Sequence, residues 1–120
     1  MKSCDGFTLI ELLVSMAIVS VLASIAIPRY AHYRERGFDT RAVSDLRNAA
    51  VAEEAYYIDS EHYLTCADSS CLQLPGIKAL SRGVTLTINA TATGFTGFSK
   101  HPKGSGKVFT WDSSEGGLLE

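Results

Sequence analysis

Residues Phe7 to Ile27, FTLIELLVSMAIVSVLASIAI, form a run of 21 residues with a single charged side chain, Glu11. A helix of about 20 residues rises about 30 Å, which is enough to cross the hydrocarbon core of a bilayer. An acidic side chain near the centre of a span costs roughly 2.5 to 3.5 kcal/mol on insertion scales. We therefore expect a membrane-length helix whose one carboxylate is kept for a function.

The flanks of this run are not those of a cleaved secretory signal peptide. Such a peptide has a basic start, a short apolar stretch and a small-residue cleavage site after that stretch. Here the start, MKSCDG, is short and polar, and the long apolar run continues directly into Pro28 and Arg29. Cys4 precedes the run, which excludes a lipoprotein anchor. The segment is either an uncleaved N-terminal anchor or an anchor trimmed just before the apolar run.

The motif GFTLIELL, residues 6 to 13, resembles the processing site of type IV prepilins and their pseudopilin relatives. Pro28 falls where that family has a helix-bending proline, and SDLRN, residues 44 to 48, is similar to short-headed bacterial pilins. The resemblance implies that a membrane prepilin peptidase cuts between Gly6 and Phe7 and that Phe7 is then N-methylated. Site residues for processing are thus Gly6 and Phe7, and those for assembly are Phe7, Glu11 and Pro28.

Glu11 has two possible roles in this scheme. The cut would free an amine on Phe7, and in the family the carboxylate pairs with that amine, usually in the next subunit. Two opposite charges that neutralise each other can lie in an apolar core that neither tolerates alone. The alternative is that Glu11 lies shallowly and reaches the lipid headgroups.

The periodicity predicts one long helix, from about Phe7 to Ile58. Pro28 lacks an amide hydrogen and presses on the carbonyl of Ser24, so we expect a bend nearby. The second half is amphipathic, with Arg41 and Asp45 as an i,i+4 pair on its polar side. Its apolar face is predicted to consist of Val43, Leu46, Ala50 and Tyr57, flanked by Ala42, Ala49 and Tyr56.

The fold class that follows is α+β, a pilin fold whose helix packs its second half on a small three-stranded antiparallel sheet. The strands are predicted at 84–88, 95–100 and 107–112, with Val84, Leu86 and Ile88 inward. The predicted segments are a leader 1–6, a transmembrane or filament-core helix 7–30 and a globular head 31–120. The head divides into helix 31–58, loop 59–82, sheet 83–112 and tail 113–120.

Cys66 and Cys71 lie five residues apart in CADSSC. A head outside the cytoplasm favours a disulfide between them, because such compartments are oxidising. The alternatives are free thiols or a metal site that adds His62, although the spacing is not C-x-x-C. Cys4 would leave with the leader.

Composition and motifs exclude other classes of function. The net charge of −2 gives no basic footprint, so nucleic-acid binding is not supported. Protease, hydrolase, P-loop and haem motifs are absent from the sequence, so we expect neither an enzyme nor a cofactor or metal. A weaker alternative is Ca²⁺ at Asp112 and Glu115, by resemblance to the major pseudopilin of type II secretion.

The resemblance implies a structural subunit of a type IV pilus, a surface filament for adhesion, motility or DNA uptake. It would lie in the inner membrane with its N-terminus cytoplasmic, against the charge bias of Arg29, Arg34 and Arg36, and then join an extracellular filament. Its partners would be further copies of itself, the prepilin peptidase and the inner-membrane assembly machinery. The alternatives are a type II secretion pseudopilin or minor pilin, and a membrane-anchored binding domain that does not polymerise.

Overall fold

The structure is a computed structural model, and it describes residues 1–119. Its contacts divide the chain into two compact units, one ending at Tyr33 and the other beginning at Arg34. One helix, α1, contributes to both units and extends over Leu9–Ser60. Each unit is described by itself below.

The first unit consists of eight residues outside regular secondary structure and the N-terminal part of α1. Its most apolar 18-residue window has a mean hydropathy of 2.4, and none of that window is buried. By length and composition α1 is the one helix among residues 1–119 that could span a membrane. This unit therefore presents to its surroundings the apolar surface that a globular protein would bury.

The predicted bounds of the helix, Phe7 to Ile58, differ from the observed ones by two residues at each end. The helix assignment continues through Pro28, and the bend there stays a prediction. The end of α1 is set by Glu61, whose φ of 57° is left-handed and whose amide donates to the carbonyl of Tyr57 at 2.8 Å. This conformation satisfies a carbonyl of the last turn.

The second unit contains a five-stranded antiparallel sheet in the order β1-β2-β3-β4-β5. The prediction of three strands was wrong, because the sheet has two further short strands, one at each edge. β1 lies in the predicted loop and β5 in the predicted tail, and a short 3₁₀ helix, Asp68–Gln73, follows β1. The strands are β1 Cys66–Ala67, β2 Thr85–Ala90, β3 Phe95–Lys100, β4 Phe109–Asp112 and β5 Gly117–Leu119.

Both additional strands depend on contacts that lie outside their own sequences. Cys66 pairs with Ile88 of β2, which places β1 at one edge. β5 returns along β4 because Gly116 and Gly117 adopt φ values of 88° and 131°, which glycine tolerates readily. A strand of two or three residues shows no alternation of apolar and polar residues.

The core of the head lies between the second half of α1 and the inner face of the sheet. Val84, Leu86 and Ile88 are buried, which confirms their predicted inward orientation. Gly97 of β3 leaves room for Leu46 of α1, because a Cβ at Gly97 would approach Leu46 Cδ1 to 2.7 Å. Gly97, which interrupts the strand pattern, thus lies where the sheet is in close contact with α1.

The buried face of α1 includes Ala42, Leu46, Ala49 and Ala50 as predicted, but differs from the prediction elsewhere. Tyr57 is 40% exposed, and two acidic residues, Asp45 and Glu53, are buried. The predicted pairing of Asp45 with Arg41 was wrong, because Asp45 binds Ser81 and the Arg41 guanidinium lies 5.3 Å from the ring centroid of Phe38. The buried residues of α1 are Ala42, Asp45, Leu46, Ala49, Ala50, Ala52 and Glu53.

Candidate functional site

The start of α1 is a capping box formed by Thr8 and Glu11. Oε2 of Glu11 accepts hydrogen bonds from the Thr8 amide at 2.8 Å and the Thr8 hydroxyl at 2.9 Å. The Thr8 hydroxyl oxygen in turn accepts from the Glu11 amide at 3.3 Å. Such reciprocal bonds satisfy donors that the first turn of a helix leaves unpaired. The carboxylate in the apolar run therefore has a local partner before any other molecule approaches.

This capping role was not predicted, although the sequence carries its signal. Thr8 and Glu11 have the spacing of the pattern S/T-x-x-E, which precedes many helices. The chemical consequence is that Glu11 can exchange partners. A neighbouring cation would compete with the amide and hydroxyl of Thr8 for one carboxylate oxygen.

The residues around the predicted cleavage point are accessible. Residues 1–8 have no regular secondary structure, and Phe7 is 91% exposed. A Cβ placed on Gly6 would have no atom within 4 Å. An open depression of about 380 Å³ lies beside this segment, lined by Phe7, Ile10, Glu11, Val14 and Ser15. Glu11 thus borders a mostly apolar surface next to the bond between Gly6 and Phe7.

The serine hydroxyls of the apolar segment are satisfied within the helix. Ser15 donates to the carbonyl of Glu11 at 2.8 Å, and Ser20 donates to that of Met16 at 2.7 Å. Ser24 donates to the carbonyl of Val21 at 2.7 Å. A hydroxyl bonded to the preceding turn carries little polar cost into a membrane.

The head contains the predicted disulfide between Cys66 and Cys71. Cys71 is fully buried and Cys66 is nearly so, and both belong to the core cluster with Leu74 and Leu86. The carboxylate of Asp68, inside the loop that the disulfide closes, accepts the amide of Leu86 at 3.0 Å. The disulfide therefore lies where β1, the 3₁₀ helix and β2 meet.

Three acidic residues of α1 fix three separate loops of the head. Asp39 accepts the Ser105 amide at 3.1 Å, and Asp45 accepts the Ser81 amide at 2.7 Å. Glu53 accepts the amide of Leu64 at 2.8 Å. A hydrogen bond to a charged acceptor contributes more than one between neutral groups. These residues position the head around α1 and serve architecture.

Glu53 differs from the other two because it is fully buried. Its Oε2 accepts from Leu64, but its Oε1 has no hydrogen-bond partner among the described residues. Burial raises the pKa of the Glu53 carboxyl above its ordinary value, and the hydrogen bond from Leu64 opposes that change. The negative charge of Glu54 adds to the increase, and His62 opposes it.

The acidic residues near the C-terminus have partners of their own. Oδ1 of Asp112 accepts the amide of Ser114 at 2.8 Å and its hydroxyl at 2.6 Å. These bonds, the side-chain one first, lower the pKa of Asp112. Within residues 1–119, no group of three or more His, Cys, Asp or Glu side chains could hold a metal ion.

Comparisons with known proteins agree with the N-terminal geometry. The family described as "Prokaryotic N-terminal methylation motif" matches residues 1–27. The chain is 35% identical over 106 residues to the type IV wide pilus major component PilA4 of Thermus thermophilus. That match covers 88% of this chain and 79% of the Thermus protein.

The chain belongs to the type IV pilin family. Shorter matches include a fimbrial protein of Pseudomonas aeruginosa, 42% identical over 67 residues, and the type II secretion system core protein G of Escherichia coli, 38% identical over 60 residues. They cover 56% and 50% of this pilin, and 44% and 41% of the two relatives. The long helix and antiparallel sheet described above are those expected of a pilin.

Proposed function

We propose that this pilin is the major structural subunit of a type IV pilus. The observation that carries the proposal is the arrangement at residues 6 to 11. An exposed bond between Gly6 and Phe7 precedes the helix, and Glu11 follows one turn later. The similarity to a wide pilus major component over most of both chains supports it.

In the proposed pathway, a prepilin peptidase removes residues 1–6 and methylates the new amine of Phe7. Residues 7–30 hold the subunit in the inner membrane, with the N-terminus cytoplasmic and the head, residues 31–120, outside. The assembly machinery then transfers the subunit into an extracellular filament. Burial of the apolar surface of α1 against other copies supplies most of the cohesion.

Glu11 has two successive partners in this proposal. In the membrane its carboxylate accepts from Thr8, so the charge does not lie in lipid without hydrogen bonds. In the filament the amine of a neighbouring Phe7 replaces or joins Thr8, and the two charges neutralise each other. An ion pair that loses one member leaves the other charge buried alone, which costs about 3 to 5 kcal/mol.

Substitution of Glu11 tests the proposal. Glu11→Ala should abolish surface filaments while the precursor stays in the membrane fraction at the level of the unchanged protein. Ser15→Ala is the matched control, since Ser15 lies one turn further on and its hydroxyl donates to the carbonyl of Glu11 within the helix. It should assemble normally. Filaments of normal number from Glu11→Ala would contradict the proposed role of Glu11. A membrane-anchored domain that does not polymerise would be favoured instead if the unchanged protein formed no filaments.

The similarity to a type II secretion core protein favours a pseudopilin as the second candidate. Abundance distinguishes the two. A major pilin should dominate the protein sheared from cell surfaces, whereas a pseudopilin or minor pilin should be scarce there.

A further inference from the structure

The charged residues of the head are segregated along the sequence. From Asn48 to Asp68 the chain has five acidic residues and no Lys or Arg. Between Asp68 and Asp112 it has no acidic residue and five basic ones. Those basic residues are Lys78, Arg82, Lys100, Lys103 and Lys107. Because the net charge is −2, this segregation is invisible in the overall composition.

The fold gathers most of the basic residues at one end of the head. The loop after β3 is fixed to the beginning of the head part of α1, where the Ser105 amide donates to Asp39 and His101 stacks on Phe38 at 4.4 Å. The carbonyl of Arg82 accepts from His101 Nε2 at 3.0 Å, which brings a second loop to the same place. We call this the basic end, and its exposed residues include Arg36, Arg82, Lys100, Lys103 and Lys107.

The acidic residues gather at the other end of the same helix. The hydroxyl of Tyr63 donates to Glu54 at 3.3 Å, and the Tyr63 ring lies 5.1 Å from that of Phe95. The amide of Phe95 donates to the Ser113 hydroxyl at 2.9 Å, which brings the turn after β4 to this end. We call this the acidic end, and it consists of Glu54, Asp59, Glu61, Asp112 and Glu115.

The two ends are well separated. Asp39 marks the basic end of α1 and Glu54 the acidic end, and 15 residues of helix correspond to about 22 Å. The C-terminus of α1 adds its own partial negative charge to the acidic end. No basic residue lies in the last turn of α1 to offset it. Two acidic residues of α1, Glu35 and Asp39, flank Arg36 of the basic end. The carboxylate of Asp39 accepts the amide of Ser105.

We propose that the heads of adjacent copies of this pilin associate through opposite ends, with the basic end of one against the acidic end of the next. One surface that binds a different surface of an identical molecule forms an open, head-to-tail series. Like ends repel, so the same charges that favour this contact disfavour the antiparallel one. The inference rests on the proposed filament and goes beyond the contacts of the N-terminal helix.

Charge reversal tests this contact in cells that display the filament. Lys103→Glu with Lys107→Glu lowers the summed charge of the five basic-end residues from +5 to +1, and Asp59→Lys with Glu61→Lys changes that of the five acidic-end residues from −5 to −1. We expect each double variant to lower the amount of sheared surface filament about 10-fold or more, because most of the charge of one end is lost and the substituted side chains now meet charges of their own sign on the facing end. All four substitutions in one chain again place opposite charges at the substituted positions of the two facing ends, and should recover at least about half of the filament.

Arg47→Glu with Lys78→Glu is the matched control, since it changes the net charge by as much as the Lys103 and Lys107 pair without touching either end. We expect it to assemble within about 2-fold of the unchanged protein. Thermal unfolding of each full-length variant in detergent reports whether its head still folds. Normal assembly of both double variants, an equal loss in the control, or no recovery in the fourfold variant would overturn the proposal. Absence of filaments from the unchanged protein would instead contradict the proposed function.

Discussion

The N-terminal segment and the head of this pilin differ in whether their apolar side chains are exposed and in how far along the chain their polar side chains find hydrogen-bond partners. In the segment from Phe7 to Ile27 the apolar side chains are exposed, and the polar ones bond within a single helical turn. In the head the polar side chains of α1 reach distant loops, as Asp39 does across 66 residues to Ser105. The first region is thus built for contact with other molecules, and the second for contact with its own chain.

We expect the largest effect from preventing cleavage between Gly6 and Phe7, because the proposed transfer of the N-terminal segment from membrane to filament follows that cut. Gly6→Val should prevent cleavage, because the family's peptidase cuts after glycine. A Cβ added at Gly6 has no atom within 4 Å other than those of its chain neighbours, so the substitution should not disturb the fold of the precursor. We expect surface filaments to be lost and a precursor six residues longer than the mature subunit to accumulate in membranes, as measured by immunoblotting.

Gly37→Ala is the control for that experiment. Gly37 also has open space around it, but it lies inside α1. Alanine there should stabilise the helix by about 1 kcal/mol and leave processing unchanged. A Gly6→Val chain that is cut and assembled normally would refute the predicted cleavage point.

The second effect concerns the head alone. Replacing both Cys66 and Cys71 by serine should lower the free energy of unfolding by about 2 kcal/mol through loop entropy. Burial of two hydroxyls in the core should add to that loss. Urea unfolding of the full-length protein in detergent, followed by Trp111 fluorescence, measures it. An unchanged midpoint would show that the core does not depend on this loop.

Part of the fold is predictable because local pattern decides it. β3 has the predicted bounds, Phe95–Lys100, and the alternation of Val84, Leu86 and Ile88 gave their inward orientation correctly. The apolar run and its carboxylate could also be predicted, because a run of 21 residues is long enough to indicate a membrane-length helix without any tertiary contact. Local sequence patterns predict structure correctly where a side chain contacts lipid or a residue close to it in the chain.

The rest depends on partners that the sequence does not place. Asp45 reads as an exposed member of an i,i+4 pair until Ser81, 36 residues later, approaches it. The local sequence around Glu53 does not show that Leu64, 11 residues later, donates its amide to that carboxylate. β1 and β5 form because the disulfide and two glycines position them. In contrast, the bond from Thr8 to Glu11 could have been found from spacing alone.

The third prediction separates the two candidate partners of Asp45. Asp45→Ala removes the acceptor of the Ser81 amide and hydroxyl, and should destabilise the head by about 1 to 3 kcal/mol. Arg41→Ala should cost less than about 0.5 kcal/mol, because the arginine does not bind Asp45 in the structure. If urea unfolding showed the same loss of free energy of unfolding for both variants, that result would support the ion pair predicted from the sequence.

The smallest effect is the pH dependence that Glu53 imposes on the head. Its pKa is raised in the folded state, so its contribution to stability is complete below the ordinary pKa of glutamate. That contribution decreases as the pH rises through the folded pKa. We expect the melting temperature of the full-length protein to fall as the pH rises across this interval.

Glu53→Gln should remove this dependence, because the amide still accepts from Leu64 but does not ionise. Glu54→Gln is the control, since Glu54 is the adjacent exposed carboxylate. It should keep most of the slope. A profile of Glu53→Gln that parallels the unchanged protein would assign the pH dependence to another group.

The most direct test of the central claim is the intact mass of the protein sheared from cell surfaces. We expect an abundant species that begins with N-methylated Phe7 and whose mass is lower by two hydrogens for the bond between Cys66 and Cys71. Surface material that retains residues 1–6, or a sheared fraction without this chain, would contradict it.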